Sequence, residues 1–313
     1  MKIVQFLFYF SPKVIKNIAT QMNQKRSITA AKERLKVKVS KEYLAQVFDT
    51  IQIDSDVFVH SSLMHIGKIE GGYKEVVRLL NTKVLDNQHT LLFSALPFKG
   101  SSEEFLKGLS VFDISTAAVE MGVVNEYYSM LPNAERSLSP THSVVAVGPA
   151  ATDYTAFHHL SETPFDENSP YFKIAAKKGK ILMFGAGLSH LTIIHVVEDL
   201  LGDDFPFRVY TKKRYQIELI NKKGERSRGT FKAHDSFRGL FRNIEPLTKS
   251  LRTLPGTVIF PLGCSELVLM DAREIIFCLL ESLQSRNSAY GKMKLSKKAE
   301  DKINYWISYF KSL

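Results

Sequence analysis

The chain has 313 residues, a formal net charge of +10 and 44% hydrophobic residues, enough for one large domain or two modest ones with a sizeable core and too apolar for a disordered chain. Two cysteines, Cys264 and Cys278, build no disulfide framework, and no Cys/His spacing marks a structural zinc, so a reducing, cytoplasmic setting and no metal are expected. The charge sits at the ends: residues 1–41 hold ten basic side chains and one acid, residues 285–313 hold seven and two, and the body between them carries −4, which removes the case that global charge would make for nucleic acid.

In chain order, the first ten residues are too short an apolar run to cross a membrane and lack the cleavage site of a secretory signal. Val14, Ile15, Ile18 and Ala19, set among Lys13 and Lys16, predict a short basic amphipathic helix. From residue 42 the pattern alternates. Residues 57–59 read as a strand, 73–80 as a helix after Gly71-Gly72, 90–93 as a strand, 123–130 as a helix and 143–147 as a strand. Residues 180–184 are a strand closed by Gly185-Ala186-Gly187, and 192–201 a helix. Residues 215–220 and 226–231 flank a Gly-bearing turn as a hairpin, 258–260 form a late strand, and 272–284 an amphipathic helix. Near the end Ile303, Trp306, Ile307 and Phe310 fall on one helical stripe.

Such alternation predicts an α/β class with a mixed central sheet, to which the 205–235 hairpin region is added. Residues 1–41 are then a basic N-terminal extension, 42–284 the main domain and 285–313 a basic C-terminal helix. The basic ends either pack on the body or a sister subunit, or touch an anionic membrane surface.

Three polar groups stand out. Thr192, His195 and Glu198 are spaced i, i+3, i+6. A carboxylate one turn from an imidazole holds its tautomer and raises its basicity, although solvated helix faces show the same spacing. Val59-His60-Ser61-Ser62-Leu63, then Ile66-Gly67 and Gly71-Gly72, form a loop of small residues between strand and helix. Such a loop either binds a polar ligand through backbone N–H groups or is simply a tight turn. Arg136-Ser137 and Pro140-Thr141-His142-Ser143, before Gly148-Pro149, set hydroxyls and a histidine ahead of a buried strand, as a functional loop or as a self-bonded turn. Gly185-Ala186-Gly187 is part of a dinucleotide fingerprint whose third glycine place holds Ser189-His190. Cys264 reads as a small core residue.

In this order, together with Met121-Gly122 through Glu126 and with Ser169-Pro170-Tyr171, the motifs resemble the aminoglycoside 3-N-acetyltransferase (antibiotic N-acetyltransferase) family over roughly residues 40–285. The resemblance implies that family's α/β fold, with acetyl-CoA or another short acyl-CoA as co-substrate. It implies acyl transfer to an amine with no covalent enzyme intermediate. His195 is then the general base, oriented by Glu198, and His142 the second candidate. Ser61, Ser62, Leu63, Ile66, Gly67, Gly71, Gly72, Ser143 and Ser169 would cradle the CoA arm, with Glu126 and Thr192 near the acceptor. Ser139 stands where many members have a histidine.

The basic stretches 210–215 and 221–228, with Lys213 and Arg214, would repel a polycationic aminoglycoside and suit a phosphate-bearing acceptor. The expected acceptor is therefore a small-molecule amino sugar, nucleotide-linked and destined for surface polysaccharide. Aminoglycoside acetylation conferring antibiotic resistance is the alternative, and an inactive CoA- or sugar-binding member of the fold a second. A monomer or homodimer is expected, cytoplasmic or membrane-associated through its basic ends.

Overall fold

The computed structural model describes residues 29–239 and 242–313; the basic helix expected over residues 14–19 lies outside them. Ten strands matter for the site: β1 Val57–Ser61, β2 Leu91–Ser94, β3 Val111–Asp113, β4 Glu135–Arg136, β5 Val144–Val147, β6 Lys180–Phe184, β7 Tyr210–Ile220, β8 Arg226–His234, β9 Val258–Leu262 and β10 Ser265–Asp271. Seven form one sheet in the order β9-β10-β6-β1-β2-β5-β4. Within it β1 is parallel to both β2 and β6, and every other pairing is antiparallel. The sheet is mixed, as expected.

Strands covered on both faces read as unbroken apolar runs, and the period of two then decides which core each residue joins. Val57, Val59, Leu91, Phe93, Leu182 and Phe184 face one core. Phe58, Leu92, Ile181 and Met183 face the other. Helices α1 Gly72–Leu80 and α2 Val123–Ser129 cover the first side. The second is covered by α3 Pro170–Ala176, α4 Val196–Leu201, α5 Ala272–Gln284 and α6 Lys297–Ser312. Side-chain oxygens cap three of these starts: Ser169 on α3, Asp271 on α5 and Ser296 on α6.

Three features differ from the sequence expectation. Strand β10 is one, because its run Leu267–Met270 leads straight into α5 and is as apolar as a buried helix. The β9–β10 turn holds only Gly263 and Cys264, since Leu262 pairs with Ser265. Gly263 has φ +60°, and a Cβ there would press on the Ile66 backbone. Cys264 is exposed on that turn and not in the core. Second, residues 192–201 are not one helix: Thr192–His195 form a 3-10 turn, and α4 starts at Val196. Third, the 205–235 hairpin pairs with β3, parallel to β7, to give a separate three-stranded sheet. Phe112, Tyr215, Ile217, Leu219 and Phe231 make its own small core. The α6 stripe of Ile303, Trp306 and Phe310 is buried in the larger core, so of the two readings of that end the stripe follows packing on the body, and the apolar face that a membrane would need is taken. Among the described residues no helix is long and apolar enough to cross a membrane.

β2, β1 and β6 all point their carboxyl ends at one edge of the sheet. In an α/β sheet such an edge, with its loops, is where a ligand site forms.

Candidate active site

A cleft of about 650 Å³ opens at that edge. Its floor comes from the strand ends, His60 and Ser61 on β1 with Ser62 just after it and Ser94 on β2, while Ser189, His190, Thr192 and His195 follow β6. Its far wall is His234, Asp235 and Arg242, with Tyr290 from the C-terminal stretch.

His195 is buried where the 3-10 turn meets α4. Its Nδ1 lies 2.7 Å from Glu198 Oε2. A carboxylate only accepts, so Nδ1 carries the proton and Nε2 is the bare nitrogen. Arg242 Nη1 donates to that Nε2. The second Glu198 oxygen, Oε1, accepts from the Tyr290 hydroxyl at 2.9 Å. The His195 ring stacks on Phe165, centroids 5.0 Å apart at 25°, and lies 4.9 Å from the His234 ring. His195, Glu198 and His234 bring potential metal-ligating atoms within 4.8 Å of one another, but both Glu198 oxygens are already engaged by His195 and Tyr290.

Behind this pair Asp199 fixes the walls. Its carboxylate accepts from Tyr210 OH at 2.6 Å and from Phe165 N–H at 2.8 Å, so one side chain places both the Phe165 ring on His195 and the Tyr210 ring against His234. Burial pushes Asp199 up to about 7. The neighbouring imidazoles move the other way. Burial, then the His195 ring, holds His142 down at about 3; burial holds His60 at about 4 and lowers His234. All three are neutral at pH 7, and the Nε2 atoms of His60 and His234 have no hydrogen-bond partner.

Of the residues singled out in the sequence, the fold brings His195, Glu198, His142, Thr192, Ser61 and Ser62 to the cleft or its immediate wall. The others lie elsewhere. Ser143 is fully buried, donating to Ala95 O at 2.6 Å and accepting from Arg136 Nε at 3.1 Å. Ser169 is also buried and caps α3 by accepting from Phe172 N–H. Neither hydroxyl is available to CoA. Leu63 and Ile66 pack into the core, Gly67 abuts Val37 O, and Gly71-Gly72 open α1 at positive φ without lining the cleft. Glu126 is exposed; its neighbour Asn125 is the cleft residue, accepting from Ser61 Oγ and donating to Ser94 O. Arg214 pairs with Glu162 at 2.9 Å and lines a second cavity of about 710 Å³, while Lys213 lies over the Tyr215 ring. Gly185, the start of the dinucleotide-like turn, is demanded by packing: a Cβ would sit 2.7 Å from Ser62 O.

Sequence reasoning quoted His60 and Asn125 inside motifs without giving either a role, and missed Arg242 and Tyr290. His60 had a local signal as the last buried position of β1 before the small-residue loop, and Asn125 as the neighbour of Glu126 in the 121–126 motif. Arg242 and Tyr290 come from segments far along the chain.

The model of the family described as aminoglycoside 3-N-acetyltransferase matches residues 58–284. The chain is 31% identical over 198 residues to aminoglycoside N(3)-acetyltransferase III of Salmonella sp, spanning 59% of this chain and 67% of that protein. It is 33% identical over 154 residues to the protein of the same name from Serratia marcescens, spanning 45% of this chain and 56% of that one. Among solved structures, AAC-IIIb binary with CoASH matches with a TM-score of 0.64 at 22% identity, covering 80% of this chain and 97% of that chain. Aminoglycoside acetyltransferase AAC(3)-Xa matches at 0.61 and 19% identity, covering 91% and 99%. At those identities the likeness to the solved structures is one of fold.

Proposed function

We propose, since the chain belongs to the aminoglycoside 3-N-acetyltransferase family, that it moves the acetyl group of acetyl-CoA onto an amine of an aminoglycoside or related amino sugar. The observation that carries the reading is the buried His195 whose Nδ1 is held by Glu198 at 2.7 Å, leaving Nε2 toward the cleft. The related enzymes are named as aminoglycoside acetyltransferases, and one solved relative holds CoASH.

In this mechanism the acceptor amine displaces the Arg242 guanidinium from Nε2 and attacks the thioester carbonyl carbon. Its proton passes to Nε2 as the C–N bond forms. The C–S bond then breaks, and the imidazolium returns the proton to the departing thiolate, giving amide and free thiol. The Ser61 and Ser62 hydroxyls, beside the parallel strand ends, are the polar groups best placed to meet the thioester. Glu198 stabilises the imidazolium between the two proton transfers.

The test is thiol release from acetyl-CoA and longer acyl-CoAs against a panel of amines. His195→Ala should lower kcat by roughly 10²–10⁴ with acetyl-CoA binding retained; near-normal turnover would remove His195 as base.

A second acceptor class has one observation in its favour. Among the described cleft-lining residues the charged pair is a single carboxylate, Asp235, and a single guanidinium, Arg242. A polycation is better served by several acids, so a nucleotide-linked amino sugar, whose phosphates would suit Arg242, belongs in the same panel.

A further inference from the structure

The stretch after α5 lies beyond residue 284, where the family match stops, yet it reaches the catalytic carboxylate. Asn287–Ser288 pairs antiparallel with Gly291–Lys292. Ser288 Oγ accepts from Tyr290 N–H and donates to Gly291 O, both at 2.9 Å. Asn243 N–H pins the same turn by donating to Ala289 O at 2.6 Å. Tyr290 leaves this turn half-buried, its ring 4.8 Å from that of Phe207, and donates its hydroxyl to Glu198 Oε1.

We propose that Tyr290 is a positioning residue of the acetyl transfer, holding one Glu198 oxygen so that the other faces His195 Nδ1 and the catalytic relay runs Tyr290–Glu198–His195. The inference rests on the acetyltransferase reading above. A carboxylate that accepts a hydroxyl hydrogen bond is less basic than one that does not. With the donor gone, Glu198 turns more freely and binds an imidazolium more tightly, so His195 takes up its proton at higher pH. Burial and the Glu198 charge push the Tyr290 phenol above its ordinary value, so it remains a donor through neutral pH. The other groups facing the pair are the His234 and His142 rings, the Arg242 guanidinium, and Asp199 with Tyr210; none is altered when only the phenolic oxygen is removed.

Tyr290→Phe keeps the ring and deletes the donor. Two readouts are taken on the full chain: the pH profile of kcat/KM with acetyl-CoA and an aminoglycoside, and an NMR pH titration of the His195 imidazole, assigned by its absence in His195→Gln. The expected result is a kcat lower by roughly tenfold, an unchanged KM for acetyl-CoA, and an acidic limb and an NMR midpoint both moved to higher pH. A lowered melting temperature with an unmoved midpoint would mean that Tyr290 is only structural, and overturns the proposal. If the wild-type chain turns over no amine at all, the acetyltransferase reading fails on its own, and the NMR midpoint still decides whether Tyr290 tunes the pair.

Discussion

His195 takes its character from the groups around its ring more than from its place in the chain. The i, i+3 spacing to Glu198 is visible in the sequence because both lie within one turn. The phenol on Glu198, the guanidinium on Nε2 and the Phe165 face come from residues 290, 242 and 165, and no periodicity links them to position 195. For the same reason Ser143 and Ser169 looked like ligands: a hydroxyl in a motif reads alike whether it faces a cleft or satisfies a buried backbone group. Ser169→Ala should cost about 1 kcal/mol of stability through the lost cap, with the KM for acetyl-CoA unchanged; a weakened KM would return Ser169 to the site. The buried imidazoles set a second expectation. An unfolded histidine titrates near 6.5 and these at about 4 for His60 and about 3 for His142, so the unfolded chain binds their protons first. Their contribution to stability is complete above about pH 6.5 and is lost as pH falls through the folded values. Unfolding free energy measured in urea should therefore drop between pH 7 and 5, and His60→Phe should flatten the slope. Equal slopes for variant and wild type would mean that His60 is not held neutral.

The elements were legible where one period dominated. The sequence located β1, β2, β5 and β6, because residues buried on both faces give short apolar runs, and the amphipathic stripe of α5 placed that helix. It did not separate β10 from α5, where an apolar strand precedes a helix N-cap at Asp271, nor show that β3, three residues long, pairs with β7 to make a second sheet. The amphipathic C-terminal stripe was visible, but which surface it covers depends on α4 and α5, against which it packs. Phe310 on α6 is fully buried in that contact. Phe310→Ala should cost about 3–5 kcal/mol, read as a fall in the denaturant midpoint. A loss under about 1 kcal/mol would mean that α6 is loosely docked.

For the whole molecule, charge is local in its consequences. Several hairpin cations are answered nearby, Arg214 and Lys232 by Glu162 and Arg226 by Glu218. The charged side chains lining the cleft near His195 are Arg242 and Asp235, among the neutral imidazoles of His60, His142 and His234. Arg242→Gln should thus lower the KM for a polycationic amine and raise it for a phosphate-bearing one, both effects shrinking at high salt; no change for either class would mean that Arg242 stays clear of the bound acceptor. The docking of α6 has an optical consequence as well. Trp306 is the sole tryptophan of the chain, nearly buried and donating its indole N–H to Leu200 O at 3.2 Å, on the helix that begins one residue after His195. Its fluorescence emission is therefore a built-in gauge of whether the last helix is seated behind the turn that carries His195, readable without any label.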